Sequence, residues 1–168
     1  MDKPHEFSST QVQMSDDVSE EFLKLGKDLI NKSDLFGDGF ELDPHVTILY
    51  GIHEEYPTPK LVDVIETYPK FTVTLGNVSI FNDETFDVIK TNIECNDLYV
   101  LHSTFMNNSY FTLTHPEYIP HATIAFVKPD SCDHLVDNPA FYGLSFVVDS
   151  IIFSCSDGTK RKIMLGVR

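Results

Sequence analysis

Two short segments of the chain carry the same reactive side chains in the same order. Pro44-His45-Val46-Thr47-Ile48-Leu49-Tyr50 and Pro120-His121-Ala122-Thr123-Ile124-Ala125-Phe126 agree at four of seven positions, and each ends in an aromatic residue. Side chains alternate along a strand, so His45 and Thr47 share one face while Val46, Ile48 and Tyr50 share the other. His121 and Thr123 stand in the same way against Ala122, Ile124 and Phe126. Two such polar faces brought together would present two imidazoles and two hydroxyls to one ligand. In-line displacement at phosphorus needs a base on the attacking oxygen and an acid on the leaving oxygen, on opposite sides of the phosphorus. Imidazole, with an ordinary pKa of about 6.5, suits both tasks. The threonine hydroxyls can donate to the non-bridging oxygens and orient the phosphate. The scheme requires neither a metal ion nor an organic cofactor. A lone His-x-Thr in a strand carries little meaning; the argument rests on the matched pair.

The elements around the motifs repeat as well. A strand over Phe7–Met14 precedes a helix capped by Ser15, with Asp16 and Asp17 in its first turn and Val18, Phe22, Leu25 and Leu29 at helical spacing. A glycine-containing loop, Phe36-Gly37-Asp38-Gly39, leads to a strand starting at His45. Thr58-Pro59 opens a second helix that stops before Pro69. Phe71–Phe81 and Phe86–Cys95 read as strands joined by Asn82-Asp83-Glu84. Asn96 caps a third helix carrying Leu98, Leu101 and Phe105. The strand His121–Val127, an irregular stretch around Pro129–Pro139 and two final strands, Leu144–Ser154 and Arg161–Val167, complete the chain. Each motif thus follows a strand, a helix and a loop. The second begins 76 residues after the first, at 121 against 45. A duplicated lobe about a pseudo-two-fold axis places the histidines symmetrically about one cleft, within one domain spanning 1–168.

Composition narrows the ligand. Twelve Lys and Arg face 26 Asp and Glu, a net charge of −14, and the basic residues cluster only at Lys160-Arg161-Lys162. Affinity for a long nucleic acid needs several cationic contacts that release counterions. A small phosphorylated ligand is expected instead. No apolar window is long enough to cross a bilayer, and the opening Met1–Glu6 carries no leader pattern, so neither a membrane partner nor export is expected. Cys95, Cys132 and Cys155 are odd in number and widely spaced. That argues against a disulfide framework or a zinc knuckle, and for a reducing cytoplasm.

The paired motifs resemble the 2H phosphoesterase superfamily, also called LigT-like or cyclic-phosphodiesterase-like proteins, whose hallmark is two His-x-Thr/Ser motifs. The resemblance covers most of the chain. It implies an α+β, bilobal fold, with two pseudo-symmetric lobes of antiparallel sheet and outer helices around a central cleft. It implies catalytic roles for His45 and His121 and phosphate binding by Thr47 and Thr123. The substrates it implies are 2′,3′-cyclic phosphates, 2′,5′-linked oligonucleotides, ADP-ribose cyclic phosphates or cyclic oligonucleotides. The compact size and the runs Pro44–Gly51 and Pro120–Pro129 are similar to phage-encoded members, some of which degrade the cyclic nucleotide signals of antiviral defence; the host cytoplasm would then be the site of action.

Secondary substrate-contacting candidates follow from proximity. They are Tyr118, three residues before His121, Lys128 at the end of that strand, and Ser9 and Gln11 on one face of the first strand. The leading expectation is a metal-independent phosphodiesterase of a small cyclic or 2′,5′-linked nucleotide. RNA-end processing, through a 2′,3′-cyclic phosphate or a 2′,5′ bond, is a second reading. A non-catalytic nucleotide-binding module is a third. The near-symmetry of the motifs leaves open which histidine is acid and which is base, and the sequence does not give the oligomeric state.

Overall fold

In the computed structural model, which describes residues 5–168, the three helices begin where the sequence reading expects them, but only Thr58 makes a capping hydrogen bond: Ser15 precedes its helix without one, and Asn96 is the first helical residue of the third, behind Cys95. Met1–Pro4, part of the opening segment in which no leader pattern is read, lie outside the described residues. Helix α1 (Asp16–Leu29) starts after Ser15 with Asp16 and Asp17 at its positive end, and buries Phe22 and Gly26. In α2 (Pro59–Thr67), the Thr58 hydroxyl accepts the Leu61 N–H at 3.2 Å while Pro59 supplies the first helical residue. Helix α3 (Asn96–Asn107) buries Leu98, Leu101 and Phe105 at helical spacing.

Among the described residues nine strands complete the fold: β1 (Ser8–Gln13), β2 (Leu35–Phe40), β3 (His45–Ile52), β4 (Phe71–Asn82), β5 (Asp87–Ile93), β6 (His121–Val127), β7 (Ser145–Val148), β8 (Ser150–Ser154) and β9 (Lys160–Met164). They pair antiparallel in the order β7-β4-β5-β6-β3-β1-β8-β9, with β2 added to β6. The two motif strands lie side by side at the centre, and their ladder is the single pair Val46 opposite Ala122. From there the order runs outward alike on both sides, β1 flanking β3 and β5 flanking β6. Helix α1, which follows β1, packs on β6, while α3, which follows β5, packs on β3. This is the pseudo-symmetric α+β arrangement that the repeated motif predicts.

Three local features depart from the sequence reading. Leu144–Ser154 is two strands broken at Asp149: β7 pairs with β4 at one end of the sheet order, and β8 with β1 near the other. The sheet curls so that neighbouring residues serve opposite edges, which two apolar runs separated only by Asp149-Ser150 do not reveal. Phe36–Gly39 belongs to β2 rather than to a loop, with Leu35 opposite Val127 and Phe40 opposite Ala125. The residues between bulge outward, and Gly37 (φ 58°) and Gly39 (φ 72°) supply left-handed backbone that side chains resist.

The third departure affects the site. Thr10 faces Leu49 but Gln11 faces Thr47, so Ile48 is an extra, bulged residue. Ile89 faces Ala125 but Lys90 faces Thr123, so Ile124 is bulged in the same way. Ser9 faces Tyr50 and Gln11 faces Thr47, which turns Tyr50 onto the same face as His45 and Thr47. Strict alternation had placed it opposite. The matching bulge moves Phe126 likewise, where its ring meets Phe86 edge-on with centroids 5.6 Å apart.

A continuous apolar core lies behind the sheet, with Phe22 and Phe141 in ring contact at 5.0 Å and Val46, Ile48, Ala122 and Ile124 contributed by the motif strands. Cys95, Cys132 and Cys155 are buried and unpaired, as the absence of a disulfide framework requires. No helix among the described residues is long and apolar enough to cross a membrane.

Candidate active site

The prolines of the two motifs fix the histidine rings. The His45 Nδ1–H donates to the Asp43 carbonyl at 2.8 Å, and the His121 Nδ1–H donates to the Ile119 carbonyl at 2.7 Å. In each case the acceptor lies two residues back, across the proline. Proline locks its own φ and holds the preceding residue extended, which sets the carbonyl within reach of the ring. A carbonyl can only accept, so the neutral imidazoles carry their proton on Nδ1 and leave Nε2 for chemistry. Thr47 and Thr123 are half-buried beside them, and neither hydroxyl is committed to another described residue.

The bulge at Ile48 frees backbone carbonyls from the ladder, and two side chains from the other lobe take them up. The Tyr118 hydroxyl donates to the Thr47 carbonyl at 2.8 Å, and the His102 Nδ1–H of α3 donates to the Ile48 carbonyl at 2.6 Å. Their rings stack face to face, with centroids 4.1 Å apart and planes 3° from parallel. Burial, with Tyr99 and Cys95 adding to it, raises the Tyr118 hydroxyl well above the ordinary phenol range, so it acts as a donor rather than as an acid.

Two cavities meet at Thr47 and Tyr50. One, of about 290 Å³, holds His121 and is walled by Leu49, Leu113, Tyr118 and Ile119, with His102, His115 and Glu117. The other, of about 440 Å³, holds His45 with Ser9 and Gln11, and is rimmed by Asp38, Glu41, Asp43 and Lys160. Asp43 is engaged by Lys160 at 2.9 Å and by the Gln13 amide at 3.1 Å. Phosphodiester chemistry needs such a place on either side of the phosphorus, one for each substituent.

Beneath the motifs the neighbouring strands complete the floor. Gln13 lies opposite His45 and Gln11 opposite Thr47; Asn92 lies opposite His121 and Lys90 opposite Thr123. The Gln11 amide nitrogen is buried and has no acceptor among the described residues. Lys90 is 3% exposed. Its ammonium donates to Ser79 Oγ and, at 3.2 Å, to Asn92 Oδ1, and it lies 4.1 Å from the centre of the Phe81 ring. No described carboxylate pairs with it. Burial lowers the Lys90 ammonium below the ordinary lysine range. Burial also lowers the His121 imidazole; the charges of Lys90, His45 and His115 act in the same direction, against the Ile119 carbonyl.

Of the residues singled out in the sequence, His45, Thr47, His121, Ser9, Gln11 and Tyr118 line these cavities, and Thr123, which lines neither, stands two residues beyond His121 and opposite Lys90. Lys128 lies apart: it is exposed beyond the far end of β6 and borders neither cavity. Tyr50, His115 and Lys90 were missed as site residues. The bulge hid Tyr50. His115, like His5, reads as a loop or terminal residue but lines a cavity. A lysine in an alternating strand reads as solvated, and only the register of β5 against β6 sets Lys90 opposite Thr123, as Gln11 is set opposite Thr47. Among the described residues, three carboxylates gather at Asp87, Asp130 and Asp133, away from both cavities. The Asp87 oxygens already accept the backbone N–H groups of Asp83 and Asp130 at 3.4 and 2.9 Å.

Neither a family model nor a curated protein matches the sequence. Solved structures do. E. coli LigT complexed with phosphate superposes with a TM-score of 0.63 at 14% identity, over 98% of this chain and 96% of that one. A crystal structure described as a phosphoesterase gives 0.62 at 15% identity, over 97% and 96%. Kluyveromyces marxianus Usb1 with uridine monophosphate gives 0.59 at 10% identity, over 95% and 97%. The chain therefore has the LigT-like 2H phosphoesterase fold over nearly all of its length, as the resemblance of its motifs implied.

Proposed function

We propose that the chain is a 2H-type phosphodiesterase in which His45 and His121 act as the acid–base pair and Thr47 and Thr123 hold the phosphate. One observation carries the reading: two imidazoles fixed by the same Pro-His device, each with a free Nε2 and an uncommitted threonine hydroxyl, on adjacent strands of a LigT-like fold. Attack by water or by a neighbouring ribose 2′-hydroxyl requires proton removal at one imidazole and proton delivery at the other. The unpaired Gln11 amide beneath Thr47 offers a further donor to a phosphoryl oxygen or a sugar hydroxyl.

The substrate we infer is a small cyclic or 2′,5′-linked nucleotide. Asp38, Glu41 and Asp43 rim the His45 cavity, so a second phosphate there would meet carboxylates. The apolar walls of the His121 cavity, with Tyr118 and Ile119, suit a nucleoside. The likeness of both motif runs to phage-encoded members extends the proposal to cyclic nucleotide signals of antiviral defence, with the host cytoplasm as the place of action. RNA-end processing is the second reading. It is favoured by neighbours of this fold solved with 3′-AMP, as in E. coli LigT, and with uridine monophosphate, as in Usb1.

A substrate panel in excess EDTA tests the proposal: cyclic di- and trinucleotides, 2′,5′-oligoadenylate, 2′,3′-cyclic mononucleotides and tRNA halves, with products resolved by mass. Turnover of a small nucleotide is expected. Preference for tRNA halves with a steep salt dependence would instead select RNA-end processing. Tight binding without turnover would identify a binding module.

A further inference from the structure

The two half-sites share a shape and differ in charge. Two residues before the histidine stand Asp43 in the first and Ile119 in the second. Opposite the threonine stand the neutral Gln11 in the first and the cationic Lys90 in the second. We propose that this asymmetry divides the labour, with His121 as the general base, His45 as the general acid, and Lys90 as the positioning residue that separates them. The inference rests on the phosphodiesterase reading and deepens it.

A cation beside an imidazole disfavours the imidazolium, and burial disfavours it further. His121 is flanked by Lys90 from β5, by His45 from β3 and by His115 from the preceding loop; its cavity also holds His102 from α3, with Tyr118 and a single acid, Glu117. The Phe81 ring touches both His121, at 5.1 Å between centroids, and the Lys90 ammonium, so cation and imidazole share one wall. His45 shares its cavity with Asp38 from β2, with Glu41 and Asp43, and with His5 and Lys160, the latter held by Asp43. The second half-site therefore favours a neutral ring, whereas the first sets carboxylates rather than a buried ammonium beside its ring. Burying a cation with only neutral partners is costly to the fold, which argues that Lys90 serves the site and not stability.

The step follows. Nε2 of neutral His121 takes the proton of the attacking hydroxyl as its oxygen bonds to phosphorus. The opposite P–O bond breaks with its electron pair on the leaving oxygen, which receives the proton from Nε2 of the His45 imidazolium. A ribose 2′-hydroxyl beside a 3′,5′ bond, or a 3′-hydroxyl beside a 2′,5′ bond, yields a 2′,3′-cyclic phosphate and an alcohol; water yields a monoester and an alcohol. The attacking nucleoside then occupies the apolar cavity and the leaving group the acidic one.

Two measurements test this. The first is histidine NMR titration of the wild type, Lys90→Met and Lys90→Arg. His121 is expected to titrate below the ordinary imidazole range, to rise by about half a pH unit or more in Lys90→Met, and to stay low in Lys90→Arg. A His121 midpoint indifferent to Lys90, or one above the ordinary imidazole range, would overturn the proposal. The second compares a dinucleotide having a 5′-oxygen leaving group with its 5′-sulfur analogue, whose thiolate leaves without a proton. Sulfur is expected to restore His45→Ala at least about tenfold relative to oxygen and to leave His121→Ala impaired. The reverse pattern would exchange the roles. A wild type inert on every phosphodiester would overturn the activity itself, whatever the titration shows.

Discussion

The Tyr118 hydroxyl donates across 2.8 Å to the carbonyl of Thr47, tying the loop that leads into the second motif to the backbone of the first. The bond satisfies a carbonyl at the Ile48 bulge, and the stacked His102 satisfies its neighbour. The second lobe therefore fixes the geometry of the first lobe's reactive strand. Tyr118→Phe keeps the stacking and removes the donor. It is expected to lower stability by about 1 kcal/mol in denaturant unfolding and to reduce kcat severalfold with little change in KM.

Lys90→Met should separate stability from activity. It removes a buried ammonium that no described carboxylate compensates and supplies an apolar chain of similar length. Unfolding at neutral pH is expected to become harder by roughly 1–2 kcal/mol. Over the same substitution the acid limb of the kcat/KM profile should move upward, because a His121 without its neighbouring cation takes a proton at higher pH. A loss of stability would assign Lys90 to the scaffold.

The lowered His121 pKa also gives stability a pH dependence. As pH falls through about 6.5, the unfolded imidazole takes a proton before the folded one does. The unfolded state then binds more protons, so stability falls with pH in that window and levels off once the folded ring is protonated as well. His121→Gln should flatten this part of the curve in chemical unfolding between pH 7 and 5. An unchanged slope would mean that other groups govern it.

Gly51, next to Tyr50, holds the loop that walls the His121 cavity. Its φ is +96°, and a Cβ there would lie 2.2 Å from the Thr112 carbonyl oxygen. The Thr112 N–H donates to the Gly51 carbonyl at 2.9 Å. Gly51→Ala is expected to cost more than about 3 kcal/mol, read as a fall in melting temperature.

The sequence made the four motif residues legible because the same Pro-His-x-Thr-Ile run occurs twice after similar elements. It made the three helices legible through Ser15, Thr58 and Pro59 and through apolar spacing. What it hid was set by long-range pairing. The bulges at Ile48 and Ile124 arise from register against β1 and β5, so Tyr50 changed faces unannounced. The break at Asp149 follows from the curl of the whole sheet, and Gly37 and Gly39 serve a bulged strand where local chemistry suggests a loop. Lys90 carries no local signal; its meaning comes from the threonine across from it.

The central claim is that two histidines perform phosphodiester cleavage. Its most direct test is turnover of a 2′,3′-cyclic mononucleotide and of 2′,5′- and 3′,5′-linked dinucleotides, with EDTA throughout, by the wild type, His45→Ala and His121→Ala. The account predicts that the wild type cleaves at least one of them and that each variant loses about 10²- to 10⁴-fold in kcat while melting near the wild-type temperature. An inert wild type, or a folded variant within about tenfold of the wild-type rate, would contradict it.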